Sequence, residues 1–121
     1  MNKTVIVVVD DMFFAAKIKA TAEALGITLV TPRTKEMLFE KVAETKSALV
    51  LVDLHNQKIN PLDLARELKA KDQQISLLGF FSHVETELRQ QALAAGFDQV
   101  IPRSVFSRDL GDILKRDIAD L

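Results

Sequence analysis

Two short runs constrain this chain more than anything else in it. Val5 to Val9 and Ala48 to Val52 are apolar at every position, and each stops at an aspartate: Asp10-Asp11 after the first, Asp53 after the second. A strand with one wet face alternates apolar and polar side chains. A strand without alternation is covered on both faces, which is the situation in a parallel sheet flanked by helices. Both runs are far shorter than the roughly 20 residues a membrane-crossing helix requires, so core strands are expected and no membrane span.

The intervening segments repeat one pattern. Phe14, Ile18, Ala22 and Leu25 recur at helical spacing and end at Gly26, which predicts a first helix over roughly 12–25 with glycine in the left-handed position beyond it. Ile27 to Thr31 reads as a short strand before Pro32, and Thr34 to Glu44 as a helix behind a threonine cap. Asn60-Pro61 reads as a cap followed by proline at the first helical position, with Leu64 and Leu68 on the inner face of a third helix. Ile75 to Phe81 predicts a fourth strand, Val84 to Ala95 a fourth helix ended by Gly96, and Phe97 to Ile101 a fifth strand before Pro102. Phe106, Leu110, Ile113 and Leu114 give the last helix its inward face. Five strands alternating with five helices imply an α/β fold, a doubly wound parallel sheet in a single domain over 1–121.

Composition narrows the chemistry. The 16 Lys plus Arg against 17 Asp plus Glu leave a net charge of -1, so no overall basic field gathers nucleic acid or anionic lipid. With no cysteine there is no disulfide, thiolate nucleophile or cysteine-based zinc site, and two histidines, His55 and His83, are too few for a His-rich metal centre. Met1-Asn2-Lys3-Thr4 runs directly into the first strand, which suggests a soluble, cytoplasmic protein. Reactive groups must therefore be carboxylates, hydroxyls or basic side chains.

In an open doubly wound sheet, ligands collect at the carboxyl ends of the strands where strand order reverses. With the order 2-1-3-4-5 that point lies between strands one and three, the two that end in aspartate. Asp10, Asp11 and Asp53 are thus expected to converge, and like charges so close need a proton or a cation between them. Mg2+ suits such a site, since it takes oxygen ligands and needs only one or two carboxylates. Simpler roles exist for each residue: an Asp pair caps the following helix, and an Asp closing a strand marks a turn. Ser82 begins the capping-box pattern Ser82-His83-Val84-Glu85 and also ends strand four beside the same edge. Arg103 follows strand five, where a guanidinium can clamp a carboxylate or a phosphate. His55 and His83 read as loop residues. Phe80 and Phe81 are expected to divide between the two sheet faces, and Phe13 and Phe14 between helix flank and core.

Taken together, Val7-Val8-Val9-Asp10-Asp11, Leu49-Val50-Leu51-Val52-Asp53-Leu54, Ser82, Ala94-Ala95-Gly96-Phe97-Asp98 and Val100-Ile101-Pro102-Arg103-Ser104 resemble a CheY-like receiver domain of two-component response regulators, over the whole chain. The resemblance implies a flavodoxin-like fold and a phosphorelay in which Asp53 accepts a phosphoryl group from a histidine kinase or phosphotransfer protein. It further implies Mg2+ held by Asp11, Asp53 and the His55 backbone carbonyl with Asp10 beside them, Ser82 bonded to the phosphoryl oxygens, and Arg103 near them. Output would pass to a protein partner through the face of helix four, strand five and helix five. Because little follows the last helix, a stand-alone receiver is expected, a phosphoprotein and not an enzyme beyond its own phosphorylation and dephosphorylation.

The sequence departs from the family pattern at several points. Arg103 stands for the usual lysine, with Pro102 before it and Ser104 in place of the usual proline after it. Val100 occupies the switch-aromatic position, where a stiff β-branched side chain has no ring to swing. Gln57 stands where a proline is usual four residues past the acceptor, and no glycine precedes helix three. These departures suit a second reading, a pseudo-receiver that binds a partner without phosphorylation. A small flavodoxin-like cofactor binder or a hydrolase is a third class. Its difficulty is that Asp10-Asp11-Met12-Phe13 lacks the Gly, Ser and Thr of loops that cradle phosphate without a metal.

Overall fold

The computed structural model describes residues 3–45, 49–72, 74–82 and 86–115. Five parallel strands form one sheet in the order β2-β1-β3-β4-β5, with β1 Thr4–Val8, β2 Thr28–Val30, β3 Leu49–Asp53, β4 Ser76–Phe81 and β5 Gln99–Pro102. The helices are α1 Met12–Ala24, α2 Lys35–Thr45, α3 Pro61–Lys71, α4 Thr86–Ala95, α5 Arg103–Arg108 and α6 Leu110–Lys115.

The two apolar runs are the centre of this sheet. β1 and β3 pair directly, Val5 opposite Leu49 through Val8 opposite Val52. Successive side chains point to opposite faces, so one strand feeds two cores. Ile6, Val8, Val50, Val52 and Leu77 pack with Leu38, Leu64, Leu68 and Ala92 of α2, α3 and α4. Val5, Val7, Leu49, Leu51 and Leu78 pack with Ile18, Phe106, Ile113 and Leu114 of α1, α5 and α6. Burying each such side chain contributes about 1.5–3 kcal/mol, which explains why no polar residue interrupts either run. Phe81 joins the first core and Phe80 the second. On the second face Phe80 stacks on Phe106, centroids 4.4 Å apart, and Phe14 meets Phe80 edge-on at 5.5 Å.

Local signals set the boundaries as expected at several ends. Asn60 Oδ1 accepts from the N–H groups of Leu62 and Asp63 at 3.1 and 3.2 Å, with Pro61 at the first helical position. Thr34 Oγ1 accepts from the Met37 N–H at 3.1 Å, capping α2. Gly26 at φ 71° and Gly96 at φ 124° close the turns after α1 and α4.

Other boundaries differ from the expectation. The described residues contain six helices and not five. Asp109 leaves helical geometry at φ -101°, ψ 16° and separates α5 from α6, while its carboxylate is held by the adjacent Arg108 guanidinium at 3.0 Å. Strand five starts two residues late, because Phe97 N–H donates back to Ala92 O and closes α4, and the chain first meets β4 at Asp98, whose N–H donates to Leu77 O. The Ser82 to Glu85 capping box, His83 and the first residues of the expected fourth helix involve 83–85, outside the described residues.

Candidate functional site at the carboxyl edge of the sheet

β1 and β3 deliver their terminal aspartates to the same edge, at the place where the chain turns to opposite sides of the sheet. Asp53 is 8% exposed. Its Oδ1 accepts the His55 N–H at 2.9 Å, and its carbonyl accepts the Asn56 N–H at 3.1 Å, so the backbone folds tightly over the carboxylate. Asn56, also 8% exposed, fixes the rest of that loop: its Oδ1 accepts from the Lys58 and Ile59 N–H groups at 2.9 and 3.0 Å. Asp10 reaches across from β1, its Oδ2 accepting the Gln57 N–H at 3.1 Å. The loop after the candidate nucleophile is thus tied to the end of the neighbouring strand.

Asp11 takes a different set of partners. One oxygen caps α1, accepting from Phe13 and Phe14 N–H groups at 2.9 and 3.1 Å. The other accepts from Arg103 Nη2 at 3.0 Å. The Phe14 N–H and then the Arg103 guanidinium hold the Asp11 carboxyl below the usual carboxylate range. Arg103 in turn lies 3.9 Å from the Phe14 ring centroid, in cation–π contact. The aromatic cluster beneath α1 therefore sets where the guanidinium stands, and the guanidinium sets Asp11.

Asp10, Asp11 and Asp53 share the edge, but among the described residues no group of three or more His, Cys, Asp or Glu side chains is placed to hold a metal ion. The helix terminus and Arg103 supply Asp11 with positive charge, so like-charge repulsion is relieved within the chain. The donors are nonetheless the hard oxygens that Mg2+ takes: the carboxylates of Asp11 and Asp53, the His55 carbonyl, and Asp10 beside them. The donor set fits the ion chemically, and Arg103, which already bonds Asp11 Oδ2, would compete with it there. Ser82 follows β4 directly on this edge and is exposed.

Several contributors were not legible as site residues. Asn56 and Gln57 act through the backbone geometry of a loop, and Phe14 through a ring beneath a guanidinium. Only the spacing of Phe14 three residues after Asp11, one helical turn, hinted at the last. Met12 and Phe13 are 69% and 91% exposed at the start of α1. Two consecutive phenylalanines on a helix lie about 100° apart, so burial of Phe14 turns Phe13 outward. Val100 is buried at 6% exposure in the core under α3 and α4.

No protein-family model and no curated protein sequence matches the chain. Solved structures do. A response regulator from Thermotoga maritima superposes with TM-score 0.80 at 20% identity, over 98% of this chain and 99% of that one. A CheY-like response regulator receiver domain protein from Methanospirillum hungatei JF-1 gives TM-score 0.83 at 20% identity, over 99% and 96%. The signal receiver domain of a response regulator from Bermanella marisrubri gives 0.78 at 23% identity, over 94% and 96%. Strand order, parallel register and near-complete mutual coverage together give this chain the CheY-like, flavodoxin-type receiver fold.

Proposed function

We propose that the chain is a cytoplasmic receiver that accepts a phosphoryl group on Asp53 from a histidine kinase or phosphotransfer protein and passes the signal on by protein–protein contact. The observation that carries this reading is the setting of Asp53. It ends a central strand at the point where strand order reverses, its backbone loop is fixed by His55, Asn56 and Asp10, and a cationic group stands on the same edge.

The chemistry follows from those groups. An Asp53 carboxylate oxygen attacks phosphorus, the new O–P bond forms, and the P–N bond to the donor imidazole or the P–O bond to an acyl donor breaks, the leaving group taking the electron pair. Mg2+, held by Asp11, Asp53 and the His55 carbonyl with Asp10 beside them, would supply the positive charge that offsets charge developing on the phosphoryl oxygens. Burial of Asp53 limits water access to the acyl phosphate. Arg103, displaced from Asp11, and Ser82 would be the donors nearest the added charge of about -1.5 to -2. The α4, β5 and α5 face is the proposed output surface; α4 carries the exposed apolar residue Leu93, at 42%.

The test is labelling by acetyl phosphate with Mg2+, on wild type and Asp53→Asn. Labelling of the first and not the second is expected; no labelling of wild type by this donor or by a kinase would overturn the reading.

The Asp11–Arg103 bridge favours a second reading, a pseudo-receiver whose carboxyl edge is already neutralised and whose partner binding ignores phosphorylation. It predicts partner affinity unchanged by Asp53→Asn and by beryllofluoride with Mg2+.

A further inference from the structure

Beside the Asp53 edge lies a cleft of about 280 Å3 between α1, the β2–α2 loop and the β3–α3 loop. We propose that it binds a phosphomonoester carried on a compact apolar or ring-shaped body, a ligand of the mononucleotide class, and that it does so independently of phosphorylation at Asp53.

The charge arrangement is the first support. Lys19 of α1, Arg33 of the β2–α2 loop and Lys58 of the β3–α3 loop all line the cleft, against one carboxylate, Asp10. The chain as a whole carries -1, so a local +2 is a concentration against the average. Most other described cations have carboxylate partners, Lys35 with Glu67, Arg66 with Asp63 and Lys69 with Asp98 among them. Among the described residues, Lys19, Arg33 and Lys58 form no side-chain ion pair or hydrogen bond. Three cations from three separate segments therefore face one cleft, with Asp10 as the one carboxylate in its lining. A carboxylate monoanion would leave that charge half compensated, whereas a phosphomonoester carries about -1.5 to -2 at neutral pH. An arginine among the three adds a planar fork suited to phosphate oxygens.

The lining between the cations is the second support. Ala15, Ala16, Val9 and Ile59 present apolar surface, and Met12, 69% exposed, stands at the rim with a flexible thioether able to lie against a ring. Asn56 is also in the lining. Its Oδ1 is engaged by Lys58 and Ile59 N–H groups, which leaves the amide nitrogen as a donor for the ligand. Apolar surface with a few convergent polar groups is the usual make-up of a small-molecule site, and the volume falls just below the roughly 300–1,000 Å3 range of drug-sized pockets, which suits a small ligand. A neighbouring cleft shares Arg33, Lys58 and Ile59, and its own carboxylates are Glu36 and Asp63.

The experiment is titration of the full chain with AMP, followed by amide resonances in two-dimensional NMR at physiological salt, with adenosine and inorganic phosphate as separate arms. Saturable shifts at Ala15, Ala16 and Ile59 with a Kd below about 1 mM, at least about tenfold tighter than either fragment, are expected. Arg33→Ala combined with Lys58→Ala should weaken AMP binding at least about tenfold, while Lys17→Ala, exposed on α1 outside the cleft, should not. Asp53→Asn should bind AMP as wild type does, which separates this site from the phosphoacceptor reading. Absence of saturable shifts, equal affinity for inorganic phosphate, or an Arg33 and Lys58 double variant that binds like wild type would each overturn the proposal.

Discussion

Asp98→Ala tests whether the edge of the sheet opposite Asp53 is built for stability. Asp98 precedes β5 and accepts three hydrogen bonds: from Lys69 Nζ at 2.9 and 3.1 Å, and from the Leu77 N–H at 2.8 Å. Lys69 also donates to Ile75 O at 2.6 Å, so one ammonium and one carboxylate tie α3, β4 and β5 together. Alanine leaves the Leu77 N–H, on a fully buried residue, without its charged acceptor, at about 1–2 kcal/mol. The ion pair is 20% and 33% exposed at its two side chains, so water screens it, and its loss adds about 1 kcal/mol at most. The sum is about 1–3 kcal/mol, a sizeable share of the roughly 5–15 kcal/mol that holds a domain together. Urea unfolding should show it as a lower midpoint at unchanged slope. Asp98→Asn keeps an acceptor for Leu77 and should cost only about 1 kcal/mol, and a cycle with Lys69→Met should give a coupling near 1 kcal/mol. Labelling of Asp53 should be unaffected, since the clamp lies at the amino ends of the strands. An Asp98→Ala variant within about 0.5 kcal/mol of wild type, below the ordinary range for a lost charged acceptor, would refute the reasoning.

Three further outcomes follow from the same coordinates. Gly96→Ala places a methyl 2.9 Å from Lys69 Cγ at φ +124° and should cost about 1–3 kcal/mol in thermal or urea unfolding, with Lys69→Ala recovering only the steric part. Gly79→Val builds atoms from a Cβ already 3.0 Å from Leu54 Cδ2 and 3.2 Å from Phe97 Cδ1; overpacking of about 1–3 kcal/mol is expected, with slower labelling of Asp53 than in Asp98→Ala at matched stability, because Leu54 is its neighbour in the chain. Arg103→Ala removes the competitor for Asp11 Oδ2, so Mg2+ affinity by calorimetry should rise several-fold; an unchanged or weaker affinity would show that Arg103 does not oppose the ion.

The fold was legible in the sequence because its information is periodic and local. Val5 to Val9 and Ala48 to Val52 lack alternation, so they had to be strands covered on both faces, and the helical spacing between them supplied the cover. Asn60-Pro61, Thr34, Gly26 and Gly96 marked ends through conformational limits of single residues. The break at Asp109 left no comparable mark, since Phe106, Leu110, Ile113 and Leu114 keep one helical phase through it.

What the sequence determined by itself was that Asp10, Asp11 and Asp53 would stand at one edge of a parallel sheet, a consequence of strand direction and strand ends. Which partner each carboxylate takes was decided only in three dimensions. Asp11 pairs with a residue 92 positions away, Asp10 with a backbone group 47 away, and Asp98 with a lysine 29 away. Such pairs depend on side-chain direction and on what packs beneath, as the Phe14 ring beneath Arg103 does. Periodicity gives the face on which a residue stands. It does not give the neighbour it meets there, and at this edge the neighbour determines whether a carboxylate is free to take a cation or already holds one.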